Sequence, residues 1–407
     1  QAALYTNTTG NDLVAVGCGA LYNNTTAPDN VAVGYQSQYN TTTGHSNVSM
    51  GWQSMVSNTT AKYNTAVGLS ALKSNTTGDR LTAVGYCALM SNSTGVNSTA
   101  MGWCALRANT TGTGNTAFGY SVLEDTTTGN QNTGVGYRML EENTTGTSNS
   151  ALGGCALRLN TTGDSNTAMG VCALGSNTTA NNNTAIGQNA LKVSTTATDN
   201  VAVGFCAMRA TTTGATNTSI GASSMMENTT GCLNTVVGVA ALQCNTEGCQ
   251  NIVMGGQAMR RNTTGDNNVA IGREALCANT TADQNTAVGY QSLCLNTTGC
   301  NNSAVGSQTL LSNTTGCNNV AMGRLALNIN TEGDENVAVG SCSLRRSTTA
   351  NNNTAVGACS LMCNTTGTAN VAVGHNSLKV STTGNDNTAV GRQSLDSNTT
   401  GCCNTAL

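Results

Sequence analysis

A period of 17 residues runs through the whole chain and constrains its fold more than any other feature. A glycine closes every complete period, from Gly17 and Gly34 to Gly391, without one insertion or deletion in 407 residues. Twenty-four copies account for the entire chain, and the last copy stops one residue before its glycine. Numbered with this glycine as position 17, the consensus is x-x-(Ala/Ser)-Leu-x-x-Asn-Thr-Thr-Gly-x-x-Asn-(Thr/Val)-Ala-(Val/Ile/Met)-Gly. Such an array is the sequence signature of a solenoid.

The residues within one repeat favour a β-coil. Each repeat holds two short strand-like runs, for example Asn285–Gly289 and Gln291–Cys294, joined by a turn sequence rich in Asn, Thr and Gly. We therefore predict an all-β fold, a parallel β-solenoid (β-roll or β-helix) of 24 coils with a 17-residue repeat. It forms one repetitive domain over residues 1–407. Because neither terminus carries an atypical capping repeat, we expect this domain to be a segment of a longer fibre. The recurring glycine implies a positive φ or a close backbone approach at a corner.

Stacked coils would lie about 4.8 Å apart and place identical repeat positions on top of one another. We expect the Asn at position 13 to form an amide ladder in which each side chain bonds to the next coil. Leu13, Leu81 and Ser98 interrupt this column. The ladder candidates are Asn115, Asn132, Asn149, Asn166 and most later copies. The Asn-Thr-Thr column at positions 7 to 9 is expected to form a second, more exposed ladder.

The large apolar residues, Leu at position 4 and Val, Ile or Met at position 16, leave two packing alternatives open. Strand alternation places Ala287 and Val288 on opposite faces. Either the large residues fill the coil and the alanines face outwards, or the alanines fill a flat coil and Val and Leu face a partner. The second alternative exposes an apolar stripe, which favours self-association.

The cysteines follow the period. Twelve of the 18 pair with the same position one coil away, within the Cα separation that a disulfide spans. We predict inter-coil disulfides, and hence an oxidising, extracellular environment. The predicted pairs are Cys87–Cys104, Cys155–Cys172, Cys232–Cys249, Cys277–Cys294, Cys300–Cys317 and Cys342–Cys359. Sequence does not pair the remaining Cys18, Cys206, Cys244, Cys363, Cys402 and Cys403.

Composition and spacing argue against several functions. Only 9% of residues are charged and the net charge is −3, which does not suit a nucleic-acid binder. No apolar run approaches the length of a membrane span. His45 and His375 lie many coils apart at different repeat positions, and no catalytic, metal or cofactor motif recurs. Charged residues at positions 5 and 6 are interpreted as a solvated edge, including Glu141, Glu142, Arg260, Arg261, Arg345 and Arg346. We predict that the protein is not an enzyme and needs no cofactor.

Two repeated surface features could carry function. The Asn-Thr-Thr column supplies N-x-(Ser/Thr) sequons, and the glycosylation candidates are Asn109, Asn143, Asn160, Asn228 and Asn262. Rows of threonine are also typical of ice-binding solenoids, but adjacent Thr110 and Thr111 should face different ways. Trp52 and Trp103 share one repeat position and are the only aromatic candidates for a glycan site.

The segment Asn285–Tyr290, Asn-Thr-Ala-Val-Gly-Tyr, and its echoes throughout the chain resemble the head repeats of YadA-like trimeric autotransporter adhesins. They also resemble NTAVGYQAL-type repeats of bacterial surface and phage tail-fibre proteins. This resemblance implies a parallel β-roll, often left-handed and trimeric, in an extracellular stalk or head that contacts surfaces.

The leading functional hypothesis is a structural one. We expect an extracellular fibre or filament protein at a cell or virion surface, a rigid disulfide-stapled shaft that self-associates as a trimer or an end-to-end filament. The alternative is an adhesin or receptor-binding fibre module that recognises surface glycans, and the third is an ice-binding solenoid.

Overall fold

A computed structural model describes residues 2–407 and confirms the predicted fold class: an all-β solenoid of parallel strands with a 17-residue repeat. Every described coil contributes one strand, and no helix occurs in residues 2–407. The chain divides into two compact units, Gln1–Asp199 and Asn200–Leu407, that are built from the same coil.

Strands β1–β11 belong to the first unit. They are β1 (Val14–Val16), β2 (Val31–Val33), β3 (Val48–Met50), β4 (Thr65–Val67), β5 (Thr82–Val84), β6 (Thr99–Met101), β7 (Thr116–Tyr120), β8 (Thr133–Tyr137), β9 (Ser150–Gly154), β10 (Thr167–Met169) and β11 (Thr184–Ile186).

Strands β12–β24 belong to the second unit. They are β12 (Val201–Val203), β13 (Thr218–Ile220), β14 (Thr235–Val237), β15 (Ile252–Met254), β16 (Val269–Ile271), β17 (Thr286–Val288), β18 (Ser303–Val305), β19 (Val320–Met322), β20 (Val337–Val339), β21 (Thr354–Val356), β22 (Val371–Val373), β23 (Thr388–Val390) and β24 (Thr405–Ala406).

Within each unit, successive strands pair in parallel with no shift of register. Residues 17 apart therefore face each other, as Ala287 faces Ala304 and Val288 faces Val305. This register follows from the unbroken sequence period, because a slip by one residue would move the alanines from the core to the outer face.

The prediction of a second strand in each coil is wrong. Gln291–Cys294 forms turns, because Gln291 and Leu293 adopt the left-handed region with φ of 52° and 50°. The same conformation recurs at positions 2, 4 and 12 of successive coils. Alternating left-handed residues cannot extend into a strand, and they bend the chain sharply between positions 17 and 7.

The coil interior contains both classes of apolar residue that the two packing alternatives had separated. Leu293 at position 4 is buried, and so is Ala287 at position 15, whereas Val305 and Met322 at position 16 are exposed. Both packing alternatives placed Leu and Val on the same side of the coil, and this was wrong. The left-handed backbone at position 4 turns the Leu side chain inwards. The large residues at position 16 alone face outwards.

Candidate functional site

Asparagines at position 13 form a buried ladder that joins each coil to the next. The side-chain oxygen of Asn115 accepts hydrogen bonds from the backbone N–H and the Nδ2 of Asn132, at 2.9 and 3.2 Å. Asn132 Nδ2 also donates to the carbonyl of Gly146 at 2.8 Å. Asn149 and Asn166 repeat the pattern. Each amide thus satisfies buried groups in two neighbouring coils.

The predicted interruptions of this ladder lie where the sequence places them. Leu81 is buried, and the only ladder bond that it keeps runs from its backbone N–H to Asn64 Oδ1, at 2.8 Å. Ser98 offers its hydroxyl oxygen to the backbone N–H of Asn115 at 3.1 Å, so that one of the ladder bonds is kept.

Asparagines at position 7 form a second ladder, and it is buried rather than exposed as expected. Asn109 Nδ2 donates to Asn92 Oδ1 at 2.7 Å and to the carbonyl of Gly112 at 3.1 Å. The five glycosylation candidates Asn109, Asn143, Asn160, Asn228 and Asn262 all have 0% exposure. A glycan on these nitrogens would have to replace both hydrogen bonds inside the coil, so their burial argues against glycosylation of the folded protein, and the acceptor sites stay a prediction.

The position 7 ladder has gaps at four of the six places where Ser or Thr replaces Asn, whereas Thr41 and Thr211 accept hydrogen bonds from Asn58 and Asn228. Asn330 Oδ1 has no hydrogen-bond partner, and neither does the hydroxyl of Ser347 in the following coil. The corresponding Asn Oδ1 and hydroxyl oxygen also have no hydrogen-bond partner in three other pairs, Asn109 with Thr126, Asn177 with Ser194 and Asn364 with Ser381. A buried polar atom without a partner costs about 1–3 kcal/mol.

We predict that Ser347→Asn stabilises the protein by about 1 kcal/mol, because its amide can bond to Asn330 Oδ1 as other coils do. Urea unfolding followed by circular dichroism measures the change. The matched control is Ser341→Asn, an exposed position, for which we expect no measurable change. Destabilisation by Ser347→Asn would show that the gap has a packing role.

The two threonines of each turn lie on different sides of the backbone, as expected. Thr110 Oγ1 donates to the carbonyl of Thr127 at 3.0 Å, while Thr111 is exposed. Position 8 therefore strengthens the contact between coils, and only position 9 presents hydroxyls fully to water. Within the turn, this leaves a single exposed rank of threonines, which differs from the paired ranks that ice-binding solenoids display.

None of the six predicted cysteine pairs contains an S–S bond, and the two pairs at position 11 lie side by side as thiols. Cys232 Sγ lies 2.8 Å from Cys249 Sγ, and Cys300 Sγ lies 3.1 Å from Cys317 Sγ. A disulfide needs the sulfurs to approach to about 2.05 Å. The stacking of coils thus brings these thiols within reach of bond formation, and the disulfides themselves stay a prediction.

Cys277 and Cys294 shift each other's pKa in opposite directions. The hydrogen bond that Cys277 accepts from Cys294 lowers the pKa of Cys277 to about 7, with the nearby Arg261 and Arg260 contributing. The same hydrogen bond, followed by burial, raises the pKa of Cys294. Burial is the main reason why the pKa of Cys104 and that of Cys249 are both raised to about 11.

We predict that iodoacetamide alkylates Cys277 at a rate that rises through pH 7 and levels off above it. Only the thiolate reacts, and a thiol with a pKa of about 7 is half ionised at that pH. Cys104, with a pKa of about 11, should react slowly at pH 7 and keep accelerating in alkaline solution. Peptide mass spectrometry under reducing conditions measures both rates. In Cys294→Ala the midpoint for Cys277 should move upwards, and an unchanged midpoint would contradict the assignment.

Aromatic residues at position 1 stack on one another in the first unit. Trp103 lies between Tyr86 and Tyr120, with ring centroids 5.9 and 4.7 Å away, and Tyr137 continues the stack at 5.4 Å. Trp52 stacks on Tyr35 at 6.1 Å. Sugars pack against ring faces, and the faces of the inner rings here are covered by neighbouring rings. Such a stack favours stabilisation of the coils over glycan binding.

The charged residues and histidines do not converge on a chemical centre. Arg138 Nε bonds to Glu141 Oε1 at 2.8 Å, and Arg158 lies 3.6 Å from Glu142, while Arg260, Arg261, Arg345 and Arg346 are exposed. His45 packs edge-on against Tyr63. In residues 2–407 no group of three or more His, Cys, Asp or Glu side chains could hold a metal ion. Positions 5 and 6 thus form the solvated edge expected from sequence.

Among the described residues, none belongs to a helix with the length and apolarity that crossing a bilayer requires. No protein-family model and no curated protein matches the chain. The resemblance to YadA-like head repeats therefore stays a prediction from the motif alone.

Proposed function

We propose that this chain is a structural protein, a segment of an extracellular fibre or filament that self-associates and has no catalytic role. Its coils serve as the repeating building block of the shaft. The proposal does not require any ligand or cofactor.

The observation that carries this proposal is the continuity of bonding from coil to coil within each unit. Backbone hydrogen bonds, two buried asparagine ladders and a threonine ladder all run in the stacking direction. In one coil, for example, Asn302 bonds to Asn285, Thr297 to Thr314 and Asn313 to Asn296. Nearly every repeat position that is not variable is used to hold the next coil, which suits a mechanical scaffold.

The cysteine pairs extend this scaffold role. We infer that the in-register thiols become inter-coil disulfides when the protein reaches an oxidising environment, at a cell or virion surface. Six staples between adjacent coils would resist local opening of the stack, because each one ties two coils covalently. Support comes from the Sγ separations of 2.8 and 3.1 Å.

Electron microscopy of the negatively stained native protein tests the proposal. We expect ordered assemblies that become larger or more numerous as the protein concentration rises. Single dispersed chains at every concentration would contradict a self-associating structural role. Disulfide mapping of the protein from its native source, trapped with a thiol reagent at lysis, would separately test the staples.

A further inference from the structure

The outer face of the sheet is uncharged in both units. Position 14 holds only Thr, Val, Ser or Ile, and position 16 holds only Val, Ile, Met, Leu or Phe. Their side chains point outwards, and Met254 and Met322 are 45% and 46% exposed. We call the outward side chains of positions 14 and 16 the apolar face.

Charged residues are common elsewhere on the surface but avoid this face. They occupy positions 1, 2, 5, 6, 9, 11 and 12, as with Arg273, Glu274, Arg260, Glu227, Glu247, Asp266 and Glu335. Sheet faces that contact water usually alternate with the core face in polarity and carry polar side chains. A face that excludes charge from every coil has the composition of a buried surface.

The area of the face is sufficient for a stable contact. In the second unit, 13 strands stand side by side. At about 4.8 Å per strand and about 3.3 Å per residue, their outward face is roughly 60 by 10 Å. Two such faces bury on the order of 1,200 Å² together, at the lower end of specific interfaces, and the first unit repeats the pattern.

The face also matches itself in shape. Its side chains form ridges that repeat at the strand spacing, and a second copy of the chain carries ridges with the same spacing. Two sheets can therefore interdigitate at the usual separation of about 10 Å without bringing like charges together. A shallow depression of about 220 Å³ over β8–β10, lined by Val135, Leu152 and Met169, belongs to the same face.

We propose that the apolar face is where two copies of this chain pack together, sheet against sheet. This inference rests on the proposed self-associating function and names the surface that performs it. The expected occupant of the face is a second copy, because the face is matched in spacing, polarity and area by itself.

The test uses the full chain with six lysines on the apolar face, placed in alternate coils so that they do not repel one another. The variant carries Met101→Lys, Val135→Lys, Met169→Lys, Met254→Lys, Val288→Lys and Met322→Lys. The matched control places six lysines at exposed position 9, where Glu247 and Glu332 already occur. Its substitutions are Thr111→Lys, Thr145→Lys, Thr179→Lys, Thr230→Lys, Thr264→Lys and Thr298→Lys.

We expect light scattering to give at least twice the 41.1 kDa chain mass for the wild type and the control, and the single-chain mass for the face variant. Circular dichroism must show the native spectrum in both variants. A wild type and a face variant of equal multimeric mass would overturn the face as the interface and leave self-association standing. A wild type that stays monomeric would overturn both proposals. Thermal hysteresis in a solution of that monomer would indicate that the protein binds ice instead of a second copy.

Methionine oxidation gives a second readout on the unmodified protein, in case the face variant does not fold. Hydrogen peroxide converts accessible methionines to sulfoxides. In the assembled protein, Met254 and Met322 should be protected at least several-fold compared with dilute protein. Met226, at position 5 and off the face, should oxidise equally in both. Equal oxidation of Met254 in assembled and dilute protein would overturn the proposal.

Discussion

Replacing Gly255 by alanine is expected to lower the free energy of unfolding by at least about 3 kcal/mol. Gly255 has a φ of 141°, which side-chain-bearing residues rarely adopt. A Cβ there would lie 2.5 Å from the carbonyl oxygen of Gly272 and 2.6 Å from its carbonyl carbon. Because these are backbone atoms of the next coil, relief requires the coils to separate. Separation would strain the bond from Gly272 N–H to the Met254 carbonyl, now 2.7 Å.

The neighbouring glycine provides a matched control. A Cβ at Gly256 would meet no atom within 4 Å, and its φ is not positive. Gly256→Ala should therefore change stability by less than about 0.5 kcal/mol. Urea unfolding of both variants measures the difference. Equal effects of the two substitutions would show that the closing glycine of the repeat is not a steric requirement.

Asn302→Ala is expected to cost about 2–4 kcal/mol. The side chain of Asn302 donates to Asn285 Oδ1 and to the Gly316 carbonyl, and accepts from the backbone N–H and Nδ2 of Asn319. Its loss leaves the buried N–H of Asn319 without its acceptor. A buried polar group that has lost its partner lowers the free energy of unfolding by more than the net contribution of one hydrogen bond.

Asn302→Ser should recover part of that loss. Ser98 occupies the same repeat position and accepts a backbone N–H bond from Asn115, so a serine hydroxyl can reach the next coil. Thr298→Ala, at an exposed hydroxyl in the same coil, should be close to neutral. A serine variant as unstable as the alanine variant would contradict the role assigned to the N–H acceptor.

The sequence predicted the features that depend on repetition. In-register stacking, the conformation of the closing glycine and the column of Asn115 and Asn132 all follow from identical residues recurring at an unchanged spacing. Even the interruptions at Leu81 and Ser98 could be located beforehand, because a column needs a carboxamide in every coil.

The sequence could not predict which way the residues of the corner face. Period-two alternation applies to extended backbone, and the left-handed residues around Leu293 break that rule, so Leu enters the core together with Ala287. The same limit explains the error at Asn109, where a turn sequence with a sequon suggests an exposed side chain. Invariance was not a sufficient signal, because the exposed Thr at position 9 varies even less from coil to coil than the buried Asn at position 7.

The most direct test of the central claim is the mass of the native assembly by light scattering, with and without reductant. We predict a multimer of the 41.1 kDa chain in both conditions, since the apolar face and not the cysteine pairs joins the copies. Reductant should change only the resistance of each chain to unfolding. A monodisperse single chain in both conditions would contradict the account, and a multimer that reductant dissolves would move the contact to the cysteines.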